Sequence, residues 1–314
     1  PHAPDGRQQC PQPCSVKNDE SYDCGVERRV TRGNRAPDQG LADHAQGRLR
    51  VLCGEYSLVI VGQAGTIRAM PVIGIFDSGV GGLSVLRAIR AQLPAADRLY
   101  FGDNLHVPYG PRPLAEVRDF SEAITRFLLA HGAQVIVVAC NTASAAALKY
   151  LRQSFPAVPF VGMEPAVKPA AEQSRTRVVG VLATPATFQG ELFASVVERF
   201  AKDVTVLPQV CPGLVQRIEA GELDTPETEA MLRGWVEPLL AQNIDVLVLG
   251  CTHYPFVIPT LERICGPGVR VIDPAPAVAR QVGRVLEQRS EVGSRRWEGA
   301  GRLLYFTSGA PADF

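Results

Sequence analysis

The sequence predicts an α/β fold in which two similar parallel-sheet α/β domains face each other across a shared active-site cleft. Two observations carry this. From residue 71 onward, short apolar runs alternate with amphipathic stretches of helical length. Strands separated by such helices need parallel crossovers and a sheet covered on both faces. The alternation also repeats, so the second half of the chain echoes the first.

Val72-Ile73-Gly74-Ile75-Phe76 reads as a buried strand and Asp77-Ser78-Gly79-Val80-Gly81-Gly82 as the turn after it. Leu83, Leu86, Ile89 and Leu93 then recur at helical spacing. Leu99-Tyr100-Phe101 is strand-like, and Val117, Phe120, Ile124, Phe127 and Leu128 mark a helix that stops near Gly132. Val135 to Cys140 is the next strand and the alanine-rich stretch from Ala143 to Phe155 the next helix. In the second half, Val178 to Leu182, Val204 to Leu207, Val246 to Leu249 and Val269 to Ile272 read as strands, Phe188 to Phe200 as a helix, and Leu303 to Phe306 as the last strand. The expected domains are residues 70–165 with 274–314, and residues 166–273. Each half opens with a strand followed by small and hydroxyl residues, Asp77-Ser78-Gly79 in one and Ala183-Thr184-Pro185-Ala186-Thr187 in the other. Each later has an apolar strand ending in cysteine: Ala139-Cys140-Asn141-Thr142 and Gly250-Cys251-Thr252-His253. In open α/β sheets ligands sit beyond the carboxyl ends of the strands, so the cleft between the halves is the expected site.

Lysine plus arginine number 32, as do aspartate plus glutamate. That balance lacks the clustered positive excess that binding to phosphate needs, so no direct nucleic-acid partner is expected. No run approaches the ~18 apolar residues of a membrane span, and no membrane association is expected. Four of the eight cysteines, Cys10, Cys14, Cys24 and Cys53, precede Met70. In an α/β chain of this size thiols suit a reduced, cytoplasmic setting better than a disulfide framework. Cys10-x3-Cys14 lacks the paired ligands of a zinc site, and no metal is expected. Residues 1–69 carry nine basic and eight acidic residues, turn-forming clusters and one apolar run, Leu58-Val59-Ile60-Val61. They are read as disordered or as a non-native extension, with a folded extension docked on the core as the alternative.

A cysteine at a strand's carboxyl end and before a helix start lies at the positive end of the helix dipole, which favours the thiolate and is expected to lower its pKa toward neutrality. Free cysteines also fill cores as small hydrophobes. Two in matching positions of two matching halves point instead to chemistry that needs the same group on both faces of a substrate. Inversion of a stereocentre by proton transfer fits, one thiolate taking the proton and the opposite thiol returning one. Each thiol has a candidate helper, Asp77 for one and His253 for the other. Asp77 also suits a helix cap. Carrier chemistry is not favoured: the only lysines after Met70 are Lys149, Lys168 and Lys202, none placed as a Schiff base. The turn Gly79-Val80-Gly81-Gly82 is not a dinucleotide fingerprint. No cofactor is expected.

Four blocks resemble those of bacterial glutamate racemase, within the aspartate/glutamate racemase superfamily. They are Ile73 to Leu83, Pro108-Tyr109-Gly110, Ala139 to Ser144, and Leu249-Gly250-Cys251-Thr252-His253-Tyr254-Pro255. The resemblance runs from about Val72 to Gly309. It implies cofactor-independent interconversion of L- and D-glutamate, supplying D-glutamate for peptidoglycan. Cys140 would be the base toward D-glutamate and Cys251 the base toward L-glutamate, with Asp77 and His253 assisting. Ser78, Tyr109, Gly110, Asn141, Thr142 and Thr252 would hold the substrate's amino and carboxylate groups. Thr184 and Thr187 match a hydroxyl pair opening the second half. Glu219 matches an acidic position associated with the substrate ammonium, although on its own it reads as a solvated helix residue. Cys211 and Cys265 read as structural.

Asn104 stands where the family usually has threonine, a change bearing on the support of the Tyr109 loop. Relatives usually continue beyond Thr307-Ser308-Gly309 into a further helix, so a truncated carboxyl terminus is expected. A racemase of aspartate or broader specificity, and a non-catalytic binding or regulatory protein on the same scaffold, are the alternative readings. Retention of both cysteines speaks against the latter. Homodimer formation stays open. Some glutamate racemases inhibit DNA gyrase, an interaction that the near-neutral charge of residues 1–69 does not support.

Overall fold

The strands Val72–Asp77 and Val135–Val138, which carry the first cysteine's half of the site, are apolar on both faces because helices cover both. The computed structural model describes residues 57–61, 71–189, 191–289 and 300–309, all within one compact unit, Ala45–Phe314. The first half contains β1 (Ser57–Val61), β2 (Val72–Asp77), α1 (Leu83–Gln92), β3 (Asp97–Gly102), α2 (Leu114–Ala130), β4 (Val135–Val138), α3 (Asn141–Ser154) and β5 (Phe160–Gly162). The second half contains α4 (Val167–Gln173), β6 (Val178–Ala183), α5 (Pro185–Gln189), α6 (Glu191–Phe200), β7 (Thr205–Val210), α7 (Leu214–Glu219), α8 (Pro226–Leu240), β8 (Val246–Gly250), α9 (Ile258–Cys265) and β9 (Arg270–Ile272), with a 3-10 turn over Tyr254–Val257. The chain then returns to the first half through α10 (Ala275–Arg289) and β10 (Leu303–Thr307).

Two sheets result. The first has the order β1-β10-β3-β2-β4-β5 and the second β7-β6-β8-β9. Successive residues of a strand point to opposite faces, and the two cores of the first half divide accordingly. Ile73, Ile75, Val135 and Val137 pack with Val85, Leu86 and Ile89 of α1 and Val282 and Leu286 of α10. Phe76, Ile136 and Val138 pack on the other face with Val117, Ile124 and Leu128 of α2. The second half repeats the scheme, with Val179, Val181, Val246 and Val248 on one face and Leu182, Leu247 and Leu249 on the other. Among the described residues no helix is long and apolar enough to cross a membrane.

Several elements depart from the sequence reading. The run Leu58–Val61, read as part of an extension outside the fold, lies in β1, which pairs antiparallel with β10 along Ser57↔Thr307 to Val61↔Leu303. The first sheet is therefore parallel throughout except at this edge. The rest of residues 1–69, with the four amino-terminal cysteines, lies outside the described residues, as do residues 310–314, on which the expected truncation bears. The single helix expected from Phe188 to Phe200 is two, α5 and α6. Strand β4 stops at Val138 rather than Cys140, because Cys140 is already the N-cap of α3.

The connectivity places the site. In the first sheet the chain leaves β2 to one side, for β3, and comes back to its other side as β4. In the second it leaves β6 for β7 and comes back as β8. Each sheet thus has a switch point at the carboxyl end of its central strand, where adjoining loops diverge and leave a crevice. Asp77 ends β2 and Cys140 follows β4; Ala183 ends β6 and Cys251 follows β8.

Candidate active site

Cys140 and Cys251 are buried free thiols that line one cavity, together with Ser78, Tyr109, Gly110, Asn141, Thr142, Thr184, Thr252 and His253. Every residue singled out from the sequence is therefore at the wall except Asp77, Thr187 and Glu219, and each of these bonds a wall residue. Pro108 and Val215 also line the cavity. Pro108 lies inside a quoted block; Val215 carries no sequence signal beyond being apolar. The cavity volume is about 10 Å³, room for a single water. A wider groove of about 490 Å³ lies between α8 and α9. Its Arg233 and Arg263 pair with Glu229 and Asp224, and it contains neither thiol.

Hydrogen bonds between the two halves ring the cavity. Thr142 Oγ1 and Thr184 Oγ1 are 2.9 Å apart, and Thr184 meets Thr187 at 3.0 Å. Thr252 Oγ1 donates to Asp77 Oδ1 at 3.2 Å, and Ser84 Oγ donates to the Thr252 carbonyl at 3.1 Å. The Val80 N–H donates to Glu219 Oε1 at 3.0 Å. Asp77 takes the Gly79 and Gly82 amides on its other oxygen, at 3.1 and 2.9 Å. Both amides belong to the turn before α1, whose N-cap Gly82 has no side-chain cap bond. Asp77 therefore ties down that turn rather than capping the helix, and it is a cross-half acceptor as well. Among the described residues neither Oδ1 nor Nδ2 of buried Asn141 has a hydrogen-bond partner. An unmet buried amide costs about 1–3 kcal/mol, and here it belongs to a residue on the wall of the cavity, where a polar ligand would satisfy it.

The surroundings of the two thiols differ, which corrects the expectation of matched environments. Cys140 has extended backbone, φ −144° and ψ 124°, and its Sγ accepts the Ala143 N–H of α3 at 3.5 Å. That contact favours the thiolate, but burial outweighs it and the nearby Asp77 adds to burial, so the thiol is pushed well up rather than down toward neutrality. Dipole reasoning is local, and the penalty for charging a buried sulfur is a tertiary effect. Cys251 does not cap an α-helix: His253 precedes the 3-10 turn, and its Nδ1 lies 3.8 Å from Cys251 Sγ. His253 Nε2 is 2.5 Å from Glu219 Oε1. Burial opposes the imidazolium, yet the bonds to Cys251 and Glu219 prevail and lift His253 to about 10. Glu219 is accordingly no solvated helix residue; it holds His253. Burial also raises Asp77, against the opposing pull of His253 and the two amides.

A test of the His253 charge follows from linkage. Its folded pKa lies above the ordinary 6.5, so the folded state holds this proton more tightly. The resulting stability is complete below about pH 6.5 and is lost as pH rises through about 10. The denaturant midpoint should fall across that window in the wild-type protein, and more steeply than in His253→Gln. Parallel pH profiles would exclude the charged pair.

The Gly-rich turn is pressed flat against the second half. A Cβ on Gly81 would lie 2.4 Å from His253 Nδ1, and one on Gly79 would lie 2.1 Å from Glu219 Oε1. Gly81→Ala must therefore displace the His253 ring or the turn facing it. Displacement of this size is expected to lower kcat by about a hundredfold. Wild-type turnover in the folded variant would show that His253 needs no fixed position.

Residues 73–282 match the Asp/Glu/Hydantoin racemase family. The glutamate racemase of a Roseiflexus species is 54% identical over 69% of this chain and 80% of its own. A glutamate racemase isoform of Bacillus anthracis superposes with a TM-score of 0.71 at 32% identity, covering 77% of this chain and 90% of that one. The Escherichia coli glutamate racemase, solved in complex with L-glutamate, gives a TM-score of 0.66 at 33% identity over 74% of this chain and 88% of its own. With both thiols at the carboxyl ends of two like sheets, and relatives of this identity over most of their length, the chain belongs to the Asp/Glu/Hydantoin racemase family, among its glutamate racemases.

Proposed function

We propose that this isomerase interconverts L- and D-glutamate by proton transfer between the α-carbon and two thiols, with no cofactor. One observation carries the reading: a single cavity is walled by one cysteine from each half. The α-carbon would sit between them. In one direction the Cys140 thiolate takes the α-proton, the C–H electron pair staying on carbon, and the Cys251 thiol then gives its proton to the opposite face. The C–H bond broken on one side is replaced by one on the other, leaving Cys140 as thiol and Cys251 as thiolate; the reverse direction exchanges their roles. His253, donating from Nδ1, would stabilise the Cys251 thiolate, and Asp77 would tune Cys140. Asn141, Ser78, Thr142, Thr184 and Thr252 would hold the polar groups of the substrate. Glutamate exceeds the present cavity, so it would enter as the halves separate. The E. coli relative's complex with L-glutamate supports the substrate. We place the enzyme in the cytoplasm, supplying D-glutamate for peptidoglycan.

The test is circular dichroism of the purified protein incubated with either enantiomer and no added cofactor. The signal of each should decay to zero as the racemate forms. A constant signal from both would overturn the assignment.

A further inference from the structure

Strand β10 leads the chain to the loop that forms one wall of the cavity. Asp103 directly follows β3 and is 2% exposed. Its carboxylate gathers three side chains. Tyr109 OH donates at 2.5 Å and Ser308 Oγ at 2.5 Å, and His106 Nδ1 lies 2.8 Å away. Ser308 belongs to the chain just beyond β10, some 205 residues away in sequence. Its hydroxyl also accepts the Leu105 N–H at 3.1 Å, and its own N–H meets the Gly102 carbonyl at 3.3 Å. The loop is closed on itself as well: Arg112 Nε donates to the His106 carbonyl at 2.7 Å and the Arg112 N–H to the Tyr109 carbonyl at 3.0 Å.

Tyr109 and Gly110 line the cavity, but the Tyr109 hydroxyl is committed to Asp103. What the loop offers a ligand is therefore the tyrosine ring and the backbone at Gly110. That backbone lies so near the second half that a Cβ on Gly110 would be 3.0 Å from Thr184 Cβ. A buried carboxylate is tolerated only with donors of this kind, and charge-assisted bonds are the strong ones. Burial and the Asp103 charge push the Tyr109 phenol well up, which keeps it a donor.

We propose that Asp103, anchored by Ser308, is a positioning residue that fixes the Tyr109–Gly110 segment at the cavity wall, so that the carboxyl-terminal strand sets substrate affinity without touching substrate. The proposal rests on the glutamate racemase reading. Tyr109→Phe deletes one oxygen and removes outright the bond that Asp103→Asn, whose amide oxygen accepts without a charge, weakens. Steady-state racemisation of both enantiomers and glutamate binding by titration calorimetry should be measured for each variant, the double variant and Ser308→Ala.

Loss of one charge-assisted bond is expected to raise KM and Kd by about tenfold in Tyr109→Phe, with kcat changed by less than about threefold. Asp103→Asn should move KM and Kd in the same direction, and the double variant should fall short of the product of the two single effects, since both changes act on one shared bond. Ser308→Ala should move KM in the same direction. Unchanged KM and Kd in folded Tyr109→Phe would overturn the proposal, as would fully additive effects or a fall in kcat alone. If Asp103→Asn does not fold, Tyr109→Phe and Ser308→Ala decide the question. Wild-type protein that binds glutamate without racemising it would sink the catalytic reading, while Kd still reports on the loop.

Discussion

Cys140→Ala and Cys251→Ala are each expected to cripple racemisation, lowering it by about 10²–10⁴-fold, while leaving the fold intact. Each thiol comes from a different half, and no other ionisable side chain described at or behind the cavity wall is placed to replace it. His253 is held by Glu219, Tyr109 is bonded to Asp103, and Asp77, behind the wall, is occupied by two amides and Thr252. Alanine removes only a buried sulfur, so circular dichroism and thermal melting should remain close to wild type. Turnover in deuterium oxide should place deuterium at the α-carbon, because the returning proton comes from a thiol in exchange with solvent. Full two-way activity in either variant would end the two-base mechanism.

The enzyme should also prefer glutamate over aspartate by about 10⁴–10⁵ in kcat/KM, because its site must pair both carboxylates of the ligand. A missing methylene in an apolar pocket costs only ~1–3 kcal/mol. Here the wall is polar: Ser78, Thr142, Thr184 and Thr252 line it, with Asn141, whose amide has no hydrogen-bond partner among the described residues. Aspartate held with its α-carbon between the thiols would leave the distal donors unmet. Near-equal kcat/KM for the two amino acids would move the protein to a broad-specificity branch.

Strands such as Val135–Val138 were legible in the sequence because a strand buried on both faces is an unbroken apolar run. The thiols were legible because their repetition at strand ends is a one-dimensional pattern. Strand β5 was not, since its three residues are too few to show a period. The linkage of Asp103 to Ser308 was hidden for a different reason: the partners meet only when β10 is laid beside β3. Glu219 looked like a solvated residue because a helix pattern shows which face is polar, not what that face meets. The Cys140 shift was misjudged because the helix start is visible in sequence, whereas the burial of the sulfur and the charge of Asp77 beside it are not.

The unequal surroundings of the two cysteines have a kinetic consequence. L- and D-glutamate are mirror images, so their free energies in solution are equal and the equilibrium constant is unity. The ratio kcat/KM must then be identical in the two directions, however differently an N-cap amide and an imidazolium treat their sulfurs. Asymmetry can appear only in how that ratio is divided. The direction with the larger kcat must carry the proportionally larger KM, and a substitution beside one thiol must change kcat/KM for both enantiomers by the same factor.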